Sequence, residues 1–181
     1  VLTVDALIEG IHFDFSFIKP IDVGFKSLVA SLSDLAAMGA TPRVALLSLA
    51  LPPHLPLRVF KDVVDGLLEA AKQYSIQLVG GNMSRSPEPL VIDVTALGSV
   101  GKRRILTRRG AKPGDELFVS GTIGSAATGL KILKAESSVL PNYSSCPSAI
   151  ERFCRPAPRV RLGKLVGKNR AASACIDLSD G

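Results

Sequence analysis

The sequence predicts a protein of mixed helices and strands, arranged in two successive units. Apolar residues recur at helical spacing in some segments and form short leucine-rich or β-branched runs in others, and the two kinds alternate. The turn at 111–115 (AKPGD) separates the two units, because Pro and Gly restrict the backbone there. The alternation alone leaves open whether the strands run parallel or antiparallel.

The first unit should place two amphipathic helices among its strands. A strand ending at Asp5 comes first, and a helix over 22–38 follows, which Asp22 caps and Gly39 terminates. The later elements are a buried strand at 43–51 stopped by Pro52 and Pro53, a helix at 57–74, a strand at 77–79, a loop at 80–87 and a strand at 90–98. The helix residues expected to face the core are Phe25, Leu28, Val29, Leu32, Phe60, Val63, Val64, Leu67, Leu68 and Ala71.

The second unit is predicted to begin at 116–120 and to continue with a helix at 125–134. A Ser- and Pro-rich stretch at 136–148 should be a flexible loop, and a helix at 156–166 should turn Leu162 and Leu165 inward. The chain opens within a strand and closes on an Asp–Gly turn, so we expect it to be a fragment of a longer protein.

Composition narrows the class of protein. An apolar share of 46% and a charged share of 21% argue against disorder, and no apolar run is long enough to cross a bilayer. We therefore expect a soluble, cytoplasmic protein without a membrane partner. The net charge of +6 suits nucleic acid, anionic lipid or a phosphorylated small molecule. With no Trp and two Tyr, a base-stacking surface is disfavoured, and no nucleic-acid partner is expected.

The three cysteines indicate neither a disulfide framework nor a zinc site. Cys146, Cys154 and Cys175 are odd in number and lack CxxC spacing. Reduced, structural thiols are the interpretation that fits.

Acidic residues stand where predicted strands and helices meet loops. Carboxylates and hydroxyls without clustered His or Cys suit a hard cation such as magnesium. Taken singly, each carboxylate is more often a helix cap or a turn residue than a metal ligand. The candidates are Asp5, Glu9, Asp34, Asp177 and Asp180.

Phosphate-binding motifs are weak in this sequence. Both GxxxxGK[ST] and GxGxxG are absent, although the glycines at 80–81 and 121–124 can bring backbone amides close to an anion. Arg108 and Lys102 can add positive charge at a triphosphate. His12 stands alone, which usually indicates a structural histidine, and no Ser-His-Asp or Cys-His arrangement is evident.

Four segments together resemble thiamine-monophosphate kinase, within the larger aminoimidazole-ribonucleotide-synthetase-like superfamily. They occur in the family's order and extend from one end of the chain to the other, and residues 106–115 (LTRRGAKPGD) support them. The segments are 3–14 (TVDALIEGIHFD), 33–42 (SDLAAMGATP), 80–82 (GGN) and 177–181 (DLSDG).

The resemblance implies a two-domain α+β fold, with a dimerising domain at 1–113 and part of a second domain at 114–181. It implies ATP-dependent phosphorylation of thiamine monophosphate to thiamine diphosphate, with several magnesium ions and a homodimer. His12 would contact the thiamine phosphate. The implied magnesium ligands are Thr3, the carbonyl of Val4, Asp5, Asp34, Asn82, Asp177 and Asp180. The implied ATP contacts are Gly81, Asn82, Arg108 and Ser179.

This sequence departs from the family pattern at Asn82, where the family commonly has a metal-binding Asp; a neutral amide should hold magnesium more weakly. Family segments before Thr3 and after Gly181 are absent from this chain. The alternatives are another ATP-using member of the superfamily (aminoimidazole ribonucleotide synthetase, selenophosphate synthetase or the hydrogenase-maturation type), a non-catalytic nucleotide-binding module, and a nucleic-acid binder suggested only by the charge.

Overall fold

The fold is mixed α+β, as a computed structural model describes it for residues 1–135 and 146–179. Within these ranges a four-stranded sheet is combined with five helices. Their order is β1 (Leu2–Ile8), α1 (Pro20–Ala37), β2 (Thr41–Leu51), α2 (Leu57–Gln73), β3 (Gln77–Arg85), β4 (Val91–Ser99), α3 (Ser125–Ala135), α4 (Pro147–Cys154) and α5 (Val160–Asn169). None of these helices is long and apolar enough to cross a lipid bilayer.

The sheet has the strand order β1-β4-β2-β3, so β1 and β3 form its opposite edges. β4 runs antiparallel to both of its neighbours, whereas β2 and β3 are parallel and are connected through α2. The sheet is therefore mixed, which answers the question that the sequence left open.

One face of the sheet is covered by α1 and α2, and the hydrophobic core lies between this face and the two helices. The apolar stripe predicted for α1 is buried, with Leu28 and Leu32 fully inaccessible to solvent. On α2, Val63, Leu67 and Ala71 are buried as predicted, but Leu68 is 46% exposed and its prediction is wrong. Leu68 lies at the border of the apolar stripe of α2, and α1 packs against the centre of that stripe and leaves Leu68 uncovered.

The opposite face of the sheet carries apolar side chains that no described residue covers. They alternate with inward-facing residues along their strands, because successive strand residues point to opposite faces. Leu2 is 64% exposed, Val4 56%, Leu46 38% and Leu97 39%, and the strand registers place all four on this face.

Three predictions for the first unit require correction. β1 continues past Asp5 to Ile8, since its pairing with β4 extends that far. α1 begins at Pro20 without a side-chain cap, so Asp22 is not its cap and instead bonds Arg155. Residues 80–85 belong to β3 and are not a loop, because they pair with β2.

In the second half, the helix predicted at 156–166 begins only at Val160, because Pro156 and Pro158 disfavour helical backbone before them. Leu162 and Leu165 are 43% and 47% exposed, so their inward prediction is wrong. Gly163 faces α1 instead: a Cβ there would lie 1.9 Å from the carbonyl oxygen of Ala36.

The stretch predicted as a flexible loop at 136–148 includes the start of α4 at Pro147. Its residues 136–145 lie outside the described part of the chain. Residues 116–120 form no described strand, and Leu117 is 94% exposed. The three cysteines are free thiols in the described structure, and Cys146 is exposed whereas Cys154 is buried.

Candidate functional site

A cleft of about 860 Å³ lies between the start of the chain, the end of α1 and two segments of the second half. Its polar lining contains carboxylates, hydroxyls and guanidinium groups. The lining residues come from 1–3, from Asp34, Ala37 and Met38, from 107–109, and from 175–179.

Thr3 and Asp34 meet in this cleft although 31 residues separate them in sequence. Thr3 lies on the helix-facing side of β1, because strand residues alternate between faces. Asp34 lies near the end of α1, where that helix passes over β1. The hydroxyl of Thr3 donates a hydrogen bond to Oδ2 of Asp34, which orients the carboxylate toward the strand.

Backbone and side-chain bonds hold the segment 173–179 against 107–115. The amide of Cys175 donates to the carbonyl of Thr107 at 2.9 Å. The hydroxyl of Ser173 donates to Oδ2 of Asp115 at 2.6 Å, and the amide of Lys112 donates to the same oxygen at 3.0 Å. These bonds, with Ser173 the larger cause, lower the pKa of Asp115.

This pairing brings Asp177 and Ser179 to the same cleft as Arg108. Oδ2 of Asp177 is buried and has no hydrogen-bond partner among the residues that the structure describes. A buried carboxylate oxygen without a partner is costly, so a cation at this position would stabilise it. Burial, reinforced by the charge of Asp177, raises the pKa of the neighbouring Cys175 thiol.

The oxygen donors of the cleft fit magnesium. Within residues 1–135 and 146–179, no group of three His, Cys, Asp or Glu side chains is placed to hold a metal ion alone. Magnesium, however, is usually held by one or two carboxylates together with substrate phosphates and waters. Asp34 and Asp177 supply two carboxylates to the cleft, and Arg108 supplies a guanidinium for a phosphate.

Asn82 and Gly81 lie far from this cleft within one chain. The registers align Asp5 with Val94, Leu47 and Gly81 in one row across the sheet. Three strand spacings separate the two ends of that row, a distance of about 14 Å. The fold therefore places Gly81 and Asn82 at the edge opposite Thr3.

Residues 1–100 match the family described as AIR synthase related protein, N-terminal domain. The chain belongs to this family. It is 38% identical over 181 residues to "Thiamine-monophosphate kinase" of Bacillus subtilis (strain 168). The aligned region covers 100% of this chain and 55% of that protein. The chain therefore spans about half the length of this curated relative.

Two solved structures support the family assignment. AaThiL complexed with AMPPCP and TMP is 38% identical, with a TM-score of 0.87 over 99% of this chain and 56% of that one. Thiamine-monophosphate kinase from Stenotrophomonas maltophilia K279a is 39% identical, with a TM-score of 0.85 over 100% and 56% of the two chains.

The other site residues predicted from this chain's sequence lie outside the cleft lining. Val4 points to the uncovered sheet face, while Asp5 is half-buried on the helix side of β1. His12 is exposed beyond β1, and its Nδ1 accepts a bond of 3.0 Å from the amide of Ile8. Asp180 lies outside the described residues. The carboxylate of Glu9 accepts a bond from the amide of Leu90 at 3.0 Å, a structural contact.

Sequence reasoning missed several residues that line the cleft. Arg109 follows Arg108 directly in the run Thr107-Arg108-Arg109, so its proximity to Arg108 in sequence could have indicated that it lies near the same phosphate. Met38 belongs to the segment 33–42 that carries the resemblance but was given no role, and Cys175 carried no indication at all. Lys102 and the glycines at 121–124, considered as phosphate-binding candidates, do not line it.

Proposed function

We propose that the protein containing this chain transfers the γ-phosphoryl group of ATP to thiamine monophosphate, giving thiamine diphosphate and ADP. The observation that carries the proposal is the cleft, where Asp34, Asp177 and Arg108 meet. Two carboxylates and a guanidinium suit a reaction in which two phosphorylated molecules must be brought together. The names of the relatives, and the AMPPCP and TMP in the AaThiL complex, support this choice of substrates.

Magnesium, when bound, would neutralise phosphate charge between the two substrates. We assign its ligands from the family resemblance and, for Thr3, Asp34 and Asp177, from their position in the cleft. The full set is Thr3, the Val4 carbonyl, Asp5, Asp34, Asn82, Asp177 and Asp180.

The chain's other residues would position the reactants. Arg108 would donate hydrogen bonds to phosphate oxygens of ATP, and Ser179 would contact the nucleotide, as would Gly81 and Asn82. His12 would contact the phosphate of thiamine monophosphate.

The reaction requires no protein nucleophile. An oxygen of the acceptor phosphate forms a bond to the γ-phosphorus, while the bond from that phosphorus to the β–γ bridging oxygen breaks and ADP leaves. The acceptor, a phosphate monoester, is largely ionised near neutral pH, so we assign no general base. We expect the reaction in the cytoplasm.

We further propose that the protein is a homodimer that associates through the uncovered face of its sheet. Leu2, Val4, Leu46 and Leu97 form an apolar surface there, the kind that usually marks an interaction site. Association of two copies would also bring Asn82 at the β3 edge of one copy toward the metal site of the other. The magnesium and nucleotide assignments of Asn82 and Gly81 depend on this second copy.

The two-domain division at 113 also stays a proposal. Leu117 and Phe118 are 94% and 83% exposed in the described structure. We propose that these residues start the second domain and pack against the portion of the protein that the relatives have beyond this chain.

Steady-state formation of thiamine diphosphate by the full-length protein, with ATP and with or without magnesium, tests the proposed function. Magnesium-dependent product supports it. Turnover with aminoimidazole, selenide or hydrogenase-maturation substrates instead would assign a sister activity. ATP binding without turnover on any of these acceptors would indicate a non-catalytic nucleotide-binding module.

A further inference from the structure

We propose that a second cavity in this chain binds a small polyphosphate anion, independently of the cleft described above. This cavity is an open depression of about 820 Å³ between the start of β2, the end of β4, the end of α2 and one face of α5. No residue lines both the cavity and the cleft, and the proposed phosphoryl transfer uses none of the cavity's residues.

The lining of this cavity, which we call the basic cavity, is strongly positive. Its five cationic side chains are Arg43, Arg104, Arg161, Lys164 and Lys168, and no Asp or Glu lines it. None of the five forms an ion pair with a carboxylate within residues 1–135 and 146–179. Cations gathered without counter-charges repel one another, so an anion bound among them lowers their electrostatic energy.

The packing of α5 explains why its basic residues face the cavity. Gly163 and Gly167 bring this helix against the backbone: added Cβ atoms would lie 1.9 Å from the carbonyl oxygen of Ala36 and 2.3 Å from that of Arg104. Arg161, Lys164 and Lys168 are spaced three and four residues apart, so they share a helix face distinct from the glycines. Because the glycine contacts fix the rotation of α5, this basic face forms a wall of the cavity.

Hydroxyl groups complete a lining suited to phosphoryl oxygens. Thr41, Ser75 and Ser99 lie among the cations, and Nε of Arg43 donates to Oγ of Ser99 at 2.7 Å, which orients that guanidinium. Guanidinium and hydroxyl donors form short, strong bonds with phosphate oxygens. The C-terminal end of α2 adds a weak negative potential near Tyr74, equivalent to about half a charge, which five cations outweigh.

The volume of the cavity and the scarcity of aromatic residues in its lining favour a small molecule over a nucleic acid. Its volume is within the range of small-molecule sites, roughly 300–1,000 Å³. Tyr74 is the one aromatic residue in its lining, whereas proteins that bind single strands stack successive bases on several aromatics. The ligand class that fits is a compact polyphosphate, either inorganic or the diphosphate group of a nucleotide.

Isothermal titration of the full-length protein with inorganic tripolyphosphate in EDTA tests this site. Without a metal ion, Asp34 and Asp177 oppose anion binding in the cleft while Arg108 and Arg109 favour it, so Arg108→Gln is measured alongside to detect binding there. The basic cavity needs no metal ion. The double variant Arg161→Gln/Lys168→Gln should weaken binding by about tenfold or more, because two charged contacts are lost. The matched control Arg58→Gln/Lys61→Gln removes the same charge from exposed positions of α2 and should change affinity by less than about twofold.

Four outcomes would overturn the proposal: no binding by the wild-type protein in EDTA, equal loss in both double variants, loss only in Arg108→Gln, and stronger binding of a single-stranded oligonucleotide than of tripolyphosphate. A parallel titration with ADP separates the two sources of the anion, since a nucleotide site should prefer ADP to the inorganic ion. Neither titration depends on thiamine diphosphate formation, so failure here and failure of the proposed function are distinguishable.

Discussion

Nε of Arg155 donates a hydrogen bond of 2.5 Å to Oδ1 of Asp22, a residue 133 positions earlier in the chain. The terminal nitrogens of the same guanidinium donate to both carboxylate oxygens of Glu69, at 2.6 and 3.1 Å. The guanidinium also lies 4.8 Å from the centre of the Phe25 ring. Arg155 immediately follows α4, so this one side chain joins the second half of the protein to both α1 and α2.

We expect Arg155→Gln to lower the free energy of unfolding by about 1–3 kcal/mol, because two carboxylates lose a charged donor. Arg155→Lys should recover only part of this loss. Lysine keeps the positive charge, but its ammonium group cannot donate two parallel hydrogen bonds to Glu69 as the guanidinium does. Urea unfolding measures both variants, with Arg58→Gln as the exposed control. Equal stability of Arg155→Gln and the control would contradict a connecting role.

The Arg155–Glu69 contact also predicts a pH dependence. Hydrogen bonds from Arg155 hold the pKa of Glu69 below its ordinary value. A carboxyl whose pKa is lowered by folding stabilises the protein above the pKa of the unfolded chain, about 4.3, and that stabilisation is lost as the pH falls through the folded-state pKa. Calorimetry should therefore show a higher melting temperature for the wild type than for Glu69→Gln at pH 7. A difference that persists undiminished at pH 3 would exclude this ion pair as its cause.

Gly163→Ala should destabilise the protein by about 1–3 kcal/mol, through steric overlap with α1. Its Cβ would lie 1.9 Å from the carbonyl oxygen of Ala36, so α5 would have to move. Helix propensity alone predicts that the variant is more stable, because Ala is favoured over Gly in a helix by about 1 kcal/mol. The melting temperature of the variant decides between steric overlap and helix propensity. In the control Gly101→Ala, the nearest atom lies 3.9 Å away and little change is expected.

Asp34→Asn in the full-length protein should lower the proposed turnover of thiamine monophosphate by about a hundredfold or more, the effect of losing one charged stabiliser of the transition state. The same variant should require more magnesium for half-maximal rate. Asp65→Asn, on the exposed part of α2, is the matched control. An unchanged rate and magnesium dependence in a folded Asp34→Asn variant would show that this carboxylate serves only to bond Thr3.

Leu97→Asp should weaken the proposed homodimer, since it places a charge in the apolar sheet face. Sedimentation velocity over a concentration series would show dissociation at protein concentrations where the wild type stays associated. Leu57→Asp introduces the same change at a residue that is 79% exposed at the start of α2, away from the sheet. If both variants sediment like the wild type, the uncovered face is not the interface.

Local patterns predicted most of the first unit. The stripe of α1 could be identified from spacing alone, because burial of one helix face repeats every three to four residues. Gly39 does end that helix, at a φ of +68° that favours glycine. The loop predicted at 80–87 was wrong over 80–85, since two consecutive glycines usually indicate a turn. Here Gly81 instead allows β3 to approach β2, where a Cβ would lie 1.7 Å from the carbonyl oxygen of Leu47.

The sequence by itself determined the family and the chemical character of the candidate site, because motifs such as SDLAAMG and the carboxylates within them are local features. Tertiary structure alone decided which of these residues meet. Thr3, Asp34, Arg108, Asp177 and Ser179 share a cleft, while Asn82 lies at the other edge of the sheet. Strand order determines this separation, and it depends on pairing between segments distant in the chain. The same holds for the basic cavity, whose wall takes its orientation from Gly163 packing against α1 and Gly167 packing against the backbone of Arg104.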